Sequence, residues 1–276
     1  MRNAQKTGCM LQAVRVWAVD ETQAAGWTVE TTGEQEDSFD QDIELRFGQE
    51  RGAQIEEWEG QVRLAFPCAT SQSLRGGVEM IFFPDDGAIA AWELWRRDDR
   101  DELKLSAGVY RNLPYIERIT PYVRFPRRSG MPGEIWENRR AACVLDLGES
   151  LNFMRASGAR SAGLTSGVGL PFMQSEFELA NVLLLLGSRQ TPLFSQVEIW
   201  TPDDDSAGLV RTGSIDDAAA KSSPSRLRLG EGLAGYVAAA RYPKLVKADD
   251  DSTASWHVGV PQFAGNQLSS VVCVSL

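Results

Sequence analysis

Apolar and polar residues alternate along three segments of the chain, residues 13–21, 90–99 and 195–204. In each segment the alternation reaches a tryptophan, at Trp17, Trp95 or Trp200, and then runs into acidic residues. A period of two that ends in Asp, Gly or Pro is typical of a β-strand entering a hairpin turn. The pattern therefore predicts three strand pairs, and the matched positions of the tryptophans predict that their rings pack inside the protein.

Each strand pair begins a longer copy of one pattern. A short extended piece, a glycine and a helix-like stretch follow, and each copy closes on a Gly-Val pair that opens another hairpin, at Gly77, Gly167 and Gly259. Recurrence at similar spacing indicates an internal repeat. The sequence thus predicts an α+β fold of tandem units, each an antiparallel sheet with short helices on one face, over residues 1–98, 99–190 and 191–276.

The last copy contains a literal G-x-G-x-x-G at Gly230, Gly232 and Gly235, followed by the acidic residues 249–251. This is the spacing of a dinucleotide-binding loop. Such a loop belongs to a parallel sheet with continuously apolar strands, whereas the strand RLRL before Gly230 alternates and the chain closes in a hairpin. We therefore interpret the glycines as a tight entry turn into a helix and predict no NAD site.

Charge and cysteine content narrow the range of partners. The net charge is −10, from 38 acidic and 28 basic residues, so nucleic-acid phosphates and anionic membrane surfaces would be repelled. The four cysteines have no C-x-x-C spacing, and residues 1–16 lack the apolar core of a secretion signal. These features predict a cytoplasmic protein with neither a nucleic-acid nor a membrane partner.

The middle and last copies resemble GAF domains, the small-molecule sensor modules of bacterial signalling proteins. The matching residues are Gly130, Pro132, Gly133, Trp136, Asp146, Gly163, Leu164, Ser166 and Pro171 in the middle copy and Gly230, Gly232, Leu233, Gly235, Val237, Asp249 and Pro261 in the last. The first copy matches only through the register of the repeat. The resemblance implies a small-molecule pocket between each sheet and the helices on its front.

The chain departs from GAF domains at the back of the sheet. Family members carry long helices before the first strand and after the last, but here only a short proline-containing linker joins the middle copy to the last. The run LANVLLLLG, residues 179–187, is typical of a strand buried on both faces. Because a large apolar face is seldom left in water, we expect the sheets to pack on each other, either between copies or across a homodimer.

By the same resemblance, seven residues are candidates for lining the pockets. They are Trp136, Phe153, Met154 and Arg160 in the middle copy and Tyr236, Trp256 and His257 in the last. The planar guanidinium of Arg160 suits an anionic ligand, although a single arginine is more often a surface residue on a helix. His257, the one histidine of the chain, is more often a hydrogen-bonded structural residue than a catalyst.

Other site chemistry finds little support in the residue pattern. No Ser-His-Asp or Cys-His spacing stands out, and Cys143 lies on a predicted buried strand, where a cysteine behaves as a small hydrophobe. The acidic clusters 203–205 and 249–251 have the composition of a hairpin turn and a helix N-cap rather than the spacing of a calcium loop. We expect no metal site, and the sequence leaves the cofactor unknown.

The sequence thus favours a non-enzymatic GAF-type sensory or regulatory module that binds a small molecule or a signalling protein partner, with a homodimer expected. The alternative is a structural dimerisation or interaction protein whose GAF pockets have filled with side chains. An enzyme ranks third, since it would need a pair of carboxylates with displaced pKa values in one pocket.

Overall fold

A computed structural model describes residues 8–20, 26–32, 51–204, 208–215, 225–248 and 255–276. Its strands form three antiparallel sheets. The first sheet contains β1 (Leu11–Asp20), β2 (Gly26–Thr31), β3 (Gln54–Trp58), β4 (Gln61–Ala69) and β5 (Leu74–Phe82). These strands lie in the order β2-β1-β5-β4-β3.

The second and third sheets each have six strands. The second contains β6 (Ala90–Arg97), β7 (Glu102–Arg111), β8 (Arg124–Pro126), β9 (Ala142–Leu145), β10 (Ser166–Met173) and β11 (Leu179–Gly187). The third contains β12 (Gln196–Pro202), β13 (Gly208–Ile215), β14 (Arg226–Arg228), β15 (Lys244–Lys247), β16 (Trp256–Ala264) and β17 (Gln267–Ser275). Their orders, β8-β7-β6-β11-β10-β9 and β14-β13-β12-β17-β16-β15, are the same counted from each first strand.

Short helices accompany the second and third sheets. They are α1 (Pro114–Ile119), a 3-10 turn (Thr120–Tyr122), α2 (Gly130–Asn138), α3 (Ala156–Ala162) and α4 (Gly232–Ala240). The first sheet has no helix among its described residues. The molecule is therefore richer in sheet than the predicted α+β class, and the expectation of helices on every unit is wrong for the described part of the first.

Gly230 and Gly232 form a tight turn into α4, as predicted, with positive φ angles of 85° and 60°. Gly235, inside α4, serves the packing of the helix. A Cβ atom on Gly235 would lie 2.3 Å from the carbonyl oxygen of Arg228 in β14, and one on Gly133 in α2 would lie 2.3 Å from that of Pro126 in β8. The two helices approach their preceding strands so closely that only glycine fits. Every strand pairing in the described chain is antiparallel, which is incompatible with a dinucleotide-binding fold.

The backs of all three sheets meet in one central core. Strand β11, predicted from its apolar run, is buried along nearly its whole length. The core residues come from all three sheets; they include Leu11, Val16, Leu64, Phe66 and Phe82, then Trp92, Leu94, Leu170, Phe172 and Leu183, then Val197, Ile199, Val258, Val272 and Val274. The prediction that the sheets pack on each other is confirmed, and they do so between copies within one chain.

The three sheets contact one another in a closed ring. Strand β3 of the first sheet lies against β6 and β7 of the second, β9 of the second lies against β13 of the third, and β15 of the third lies against β1 and β2 of the first. Strand β6 pairs with β7 and β11, so residues at the end of the predicted first domain form the first strand of the second sheet. The division into three domains stays a prediction.

Two of the three junctions use the same polar contact. The side chain of Asn181 accepts a hydrogen bond from Ala53 N (3.1 Å) and donates one to Ala53 O (2.9 Å), just before β3. The hydroxyl of Ser270 accepts a hydrogen bond from Ala141 N (3.0 Å), just before β9. Asn181 and Ser270 each lie next to a bulge in their own strand, where Ala180 and Ser269 are the extra residues. Each contact satisfies a buried backbone N–H.

At the third junction the same place is occupied by Gly76, facing Pro243 just before β15. A Cβ atom on Gly76 would lie 2.2 Å from Trp17 O in the same sheet and 2.6 Å from Pro243 Cδ across the junction. Proline has no N–H that needs an acceptor, so a residue without a side chain serves where the other junctions use Asn and Ser. The glycine thus suits both its own sheet and its partner across the junction.

Replacing Asn181 with alanine is expected to lower the free energy of unfolding by about 1–3 kcal/mol, because both backbone groups of buried Ala53 lose their partner. Urea unfolding measured by circular dichroism gives the value. The control is Asn138→Ala, at an exposed position, which should change stability by less than about 0.5 kcal/mol. Equal effects of the two substitutions would contradict this account of the junction.

Candidate functional site

The second and third sheets each carry a glutamate two residues before the recurring tryptophan. These are Glu93 and Trp95 on β6, and Glu198 and Trp200 on β12. Residues two apart on a strand point to the same face, here the face with the helices. The indole Nε1 of the tryptophan donates a hydrogen bond to Oε2 of the glutamate in both, at 3.0 Å and 3.2 Å. The same pair thus occurs twice, in two different surroundings.

In the second sheet, Arg155 closes the pair. Its Nη1 and Nη2 atoms lie 2.5 Å and 2.8 Å from the two oxygens of Glu93, and Nη1 also donates to the hydroxyl of Thr120 at 2.7 Å. The guanidinium carbon lies 5.7 Å from the ring centre of Trp95 and 5.1 Å from that of Phe153. These contacts join a bidentate ion pair to cation–π packing.

Burial favours the neutral form of Arg155 and lowers its pKa, but the attraction of Glu93 outweighs this and the pKa of the guanidinium is raised overall. Arg155 therefore stays charged. Trp95 and Phe125 fill the adjacent space with ring centres 4.7 Å apart. The site at which a ligand would meet Glu93 is occupied by the protein's own side chains.

In the third sheet the pair opens into a cavity of about 350 Å³ between the sheet and α4. We call it the third-sheet pocket; it is lined by Gln196, Glu198, Trp200, Leu227, Gly232, Leu233, Ala234, Val246, His257, Cys273 and Ser275. Glu198 contacts Arg211 Nη1 on the neighbouring strand β13 at 2.9 Å. The volume is at the lower end of the range for small-molecule sites.

Chain length explains why one site is closed and the other open. Arg155 lies in the segment between β9 and β10, residues 146–165, which also contains α3. The corresponding connection between β15 and β16 is residues 248–255, fewer than half as many. Val246 and His257, at the two ends of this shorter connection, line the pocket. In the part of the chain that the structure describes, the pocket therefore opens on the side from which Arg155 enters in the second sheet.

The wall of the third-sheet pocket is polar where its counterpart is apolar. Glu93 pairs with Leu184 on the adjacent strand, whereas Glu198 pairs with Cys273. Leu186 pairs with Gly167 on β10, whereas the corresponding pair on β17 and β16 is Ser275 and His257.

Two of these polar groups are uncharged at neutral pH. His257 Nδ1 lies 2.7 Å from Ser275 Oγ. Burial lowers the pKa of His257, and the opposing effect of Glu198 does not restore it, so the imidazole is neutral. Burial, and then Glu198, raise the pKa of the Cys273 thiol, which stays protonated. Glu198 is thus the acidic side chain of the pocket wall and is available to hydrogen-bond donors.

No protein-family model and no curated protein sequence matches this chain. Similar solved structures exist. The nlh2 GAF domain of A. aeolicus in an inactive state is 13% identical, with a TM-score of 0.29 over 37% of this chain and 59% of that one. A GAF domain/HD domain protein from Geobacter sulfurreducens is 12% identical, with a TM-score of 0.32 over 38% and 67%.

Both of these structures contain a GAF domain, the family that the sequence resembles. Another similar structure is the NreA protein of Staphylococcus aureus mutated in its nitrate binding site, 15% identical, with a TM-score of 0.29 over 39% of this chain and 80% of that one. The chain spans about three fifths of the A. aeolicus structure.

The GAF-like pocket prediction placed four residues near the second sheet. Trp136 and Phe153 are buried in the core between this sheet and its helices. Met154 is exposed. Arg160 is largely exposed on α3, where it donates to Gly148 O at 2.6 Å and pairs with Glu149 at 3.0 Å. These four residues do not line one cavity.

Three residues were placed near the third sheet, and the structure separates them. His257 lines the third-sheet pocket. Trp256, its neighbour on β16, points to the opposite face and packs against the central core. Tyr236 is exposed on α4, with its hydroxyl 2.9 Å from that of Tyr242. The other residues of the pocket, including Glu198, were not predicted. The sequence does contain a signal for this glutamate, because it lies in an apolar strand two residues before the recurring tryptophan.

The other predicted features can be placed as well. Cys143 lies on β9 against the central core, and burial raises the pKa of its thiol to about 11, as expected of a small hydrophobe. Asp203 pairs with Arg226 at 3.1 Å, while residues 205 and 249–251 of the acidic clusters lie outside the described residues. Within the described ranges, no group of His, Cys, Asp and Glu suits a metal ion, and no helix is long and apolar enough to cross a membrane.

Proposed function

We propose that this chain is a non-enzymatic sensory protein of tandem GAF-like units that binds a small molecule in the third-sheet pocket. The observation that carries the proposal is a comparison of two Glu–Trp pairs, Glu93–Trp95 and Glu198–Trp200, which have the same hydrogen bond in different surroundings. One is closed by Arg155, whereas the other opens into a cavity with polar groups on its wall. Concave sites with a few convergent polar groups on an apolar lining are typical of ligand binding.

In this proposal the second unit has a structural role and the third unit binds the ligand. A ligand against Glu198 would contact β12, β16, β17 and α4 together, because all four line the pocket. Strand β16 also lies against β4 and β10 of the other two sheets. A change in the third unit therefore has a packed route to the rest of the molecule, from which a signalling partner would read it.

The contact between His257 and Ser275 is the arrangement in this pocket that comes nearest to catalytic chemistry. A triad would also need a carboxylate that orients the imidazole. The two oxygens of Glu198 instead bond Trp200 Nε1 and Arg211 Nη1. This supports binding rather than turnover as the function of the pocket.

Native mass spectrometry of the freshly purified chain tests the proposal. We expect a mass excess over the chain that disappears on denaturation. The matched variant is Val246→Trp: Val246 lines the pocket but is well exposed on edge strand β15, so a larger ring should fill the cavity without unfolding the sheet. The variant should lack the excess mass.

Two results would favour the structural interaction protein instead. One is a purified chain with no excess mass that also shows no shift in melting temperature with any member of a small-molecule library. The other is an excess mass that Val246→Trp retains, which would place the molecule outside the third-sheet pocket. The observation that supports this alternative is that Arg155 already fills the site around Glu93.

A further inference from the structure

In the second unit, the Glu93–Trp95 pair binds a group of the protein itself, which indicates what kind of ligand suits the matching Glu198–Trp200 pair. The group held by Glu93 and Trp95 is a guanidinium, contacted at both carboxylate oxygens and flanked by two aromatic rings. Planar N–H donors match a carboxylate in this geometry, and a desolvated cation is further attracted to ring faces.

The third-sheet pocket repeats the carboxylate and the indole but not the resident guanidinium on that side. Arg211 contacts Glu198 through one nitrogen, from the neighbouring strand, with its guanidinium carbon 5.9 Å from the Trp200 ring. Within the described ranges, no side chain of the third unit takes the place that Arg155 has in the second, and this side belongs to the cavity. A carboxylate has about four lone-pair sites, so Glu198 can accept further donors.

We propose that the third-sheet pocket takes a small organic cation with N–H donors, a guanidinium or primary ammonium on a short stem, whose head group lies against Glu198. This inference rests on the proposed function and specifies its ligand class. The head group takes the position that the Arg155 guanidinium has in the second unit.

The rest of the pocket suits the stem of such a ligand. Leu227, Leu233 and Val246 provide apolar contact area, and Gln196 and the His257–Ser275 pair provide neutral hydrogen-bonding groups. The neutral imidazole adds no positive charge to that of Arg211, which contacts Glu198 from the neighbouring strand. The net charge of −10 also attracts cations to the protein from a distance.

The inference is tested with the whole chain and four probes of nearly equal size: propylguanidinium, propylammonium, butyramide and butyrate. Isothermal titration and saturation-transfer NMR measure their binding. We expect the two cations to bind and the other two to bind far more weakly. In Glu198→Gln the dissociation constant of propylguanidinium should rise about tenfold or more, because a charge-assisted hydrogen bond is lost. Glu178→Gln, at an exposed position in the connection between β10 and β11, is the control and should leave it unchanged.

A second pair of variants keeps the test decisive if Glu198→Gln does not fold. Val246 is exposed enough to accept either charge. Val246→Glu should strengthen and Val246→Lys should weaken the binding of propylguanidinium, whereas a pocket for anions would show the reverse order with butyrate.

Three results would overturn the inference. In the first, butyrate or butyramide binds as tightly as the cations and Val246→Trp blocks this binding. The third-sheet pocket would then bind small molecules, but not cations in particular. A neutral or anionic molecule retained in that pocket through purification would lead to the same conclusion. Binding of no probe, together with no retained molecule, would overturn both this inference and the proposed sensory function.

Discussion

Replacing Arg155 with methionine is expected to lower the free energy of unfolding by about 3–5 kcal/mol. The side chains of Arg155 and Glu93 are 2% and 0% exposed, so the substitution leaves a carboxylate in the interior with neither water nor its ion-pair partner. Thr120 and the rings of Trp95 and Phe153 lose their contacts with the guanidinium as well. Urea unfolding followed by tryptophan fluorescence measures the change.

Two controls separate the buried ion pair from a general effect on α3. Arg160→Met changes an arginine whose side chain is 62% exposed, on the helix that Arg155 directly precedes, and should alter stability by less than about 1 kcal/mol. The double variant Glu93→Gln/Arg155→Met removes both charges, and its amide oxygen can still accept from Trp95 Nε1. It should recover part of the loss, because no uncompensated charge is left. A double variant as unstable as Arg155→Met alone would show that packing, not charge, sets the loss.

Replacing Phe82 with alanine is expected to cost about 3–5 kcal/mol. Its ring is fully buried in the central core, with ring centres 5.5 Å from Trp92 on the second sheet and 5.6 Å from Phe194 before the third. The cavity therefore lies where the sheets meet. Because the three sheets share this core, we expect all of them to lose stability in one transition, seen together by fluorescence and circular dichroism.

The neighbouring Phe83 gives the matched control. It is 39% exposed, and Phe83→Ala should cost far less than Phe82→Ala. If Phe82→Ala instead separates the unfolding curve into two transitions, the sheets are independently stable domains and the shared core contributes less than described here.

Much of the architecture was predictable because strands carry their own signal. Alternation around Trp17, Trp95 and Trp200 located the first strand of each sheet, and all three rings are buried. The apolar run of β11, in which Asn181 is the one polar residue, indicated burial on both faces, which required a second layer. The sequence could not choose between a layer from the same chain and one from a second copy, because both cover the same apolar area. The homodimer therefore stays a prediction, and these contacts do not require it.

The candidate site was harder to predict because its state depends on a residue distant in sequence. Glu93 and Glu198 have similar neighbours, yet Arg155, far along the chain, decides that only the first is closed. An arginine in a connecting segment has no periodicity that reveals where its head group lies. Trp256 and His257 illustrate a second difficulty. Adjacent residues of a strand face opposite sides of the sheet, so these two residues could not both line one pocket.

The closed ring of sheets bears on how the chain is made by the ribosome. The first sheet contacts β15, which follows it by more than half the length of the chain. At 5–20 residues per second, the apolar back of the first sheet waits on the order of ten seconds for that cover. During this interval it resembles a folding intermediate with exposed hydrophobic surface, the kind of species that chaperones bind. Newly synthesised chains of this protein should therefore depend on chaperones, and the dependence should increase with the time taken to synthesise the third sheet.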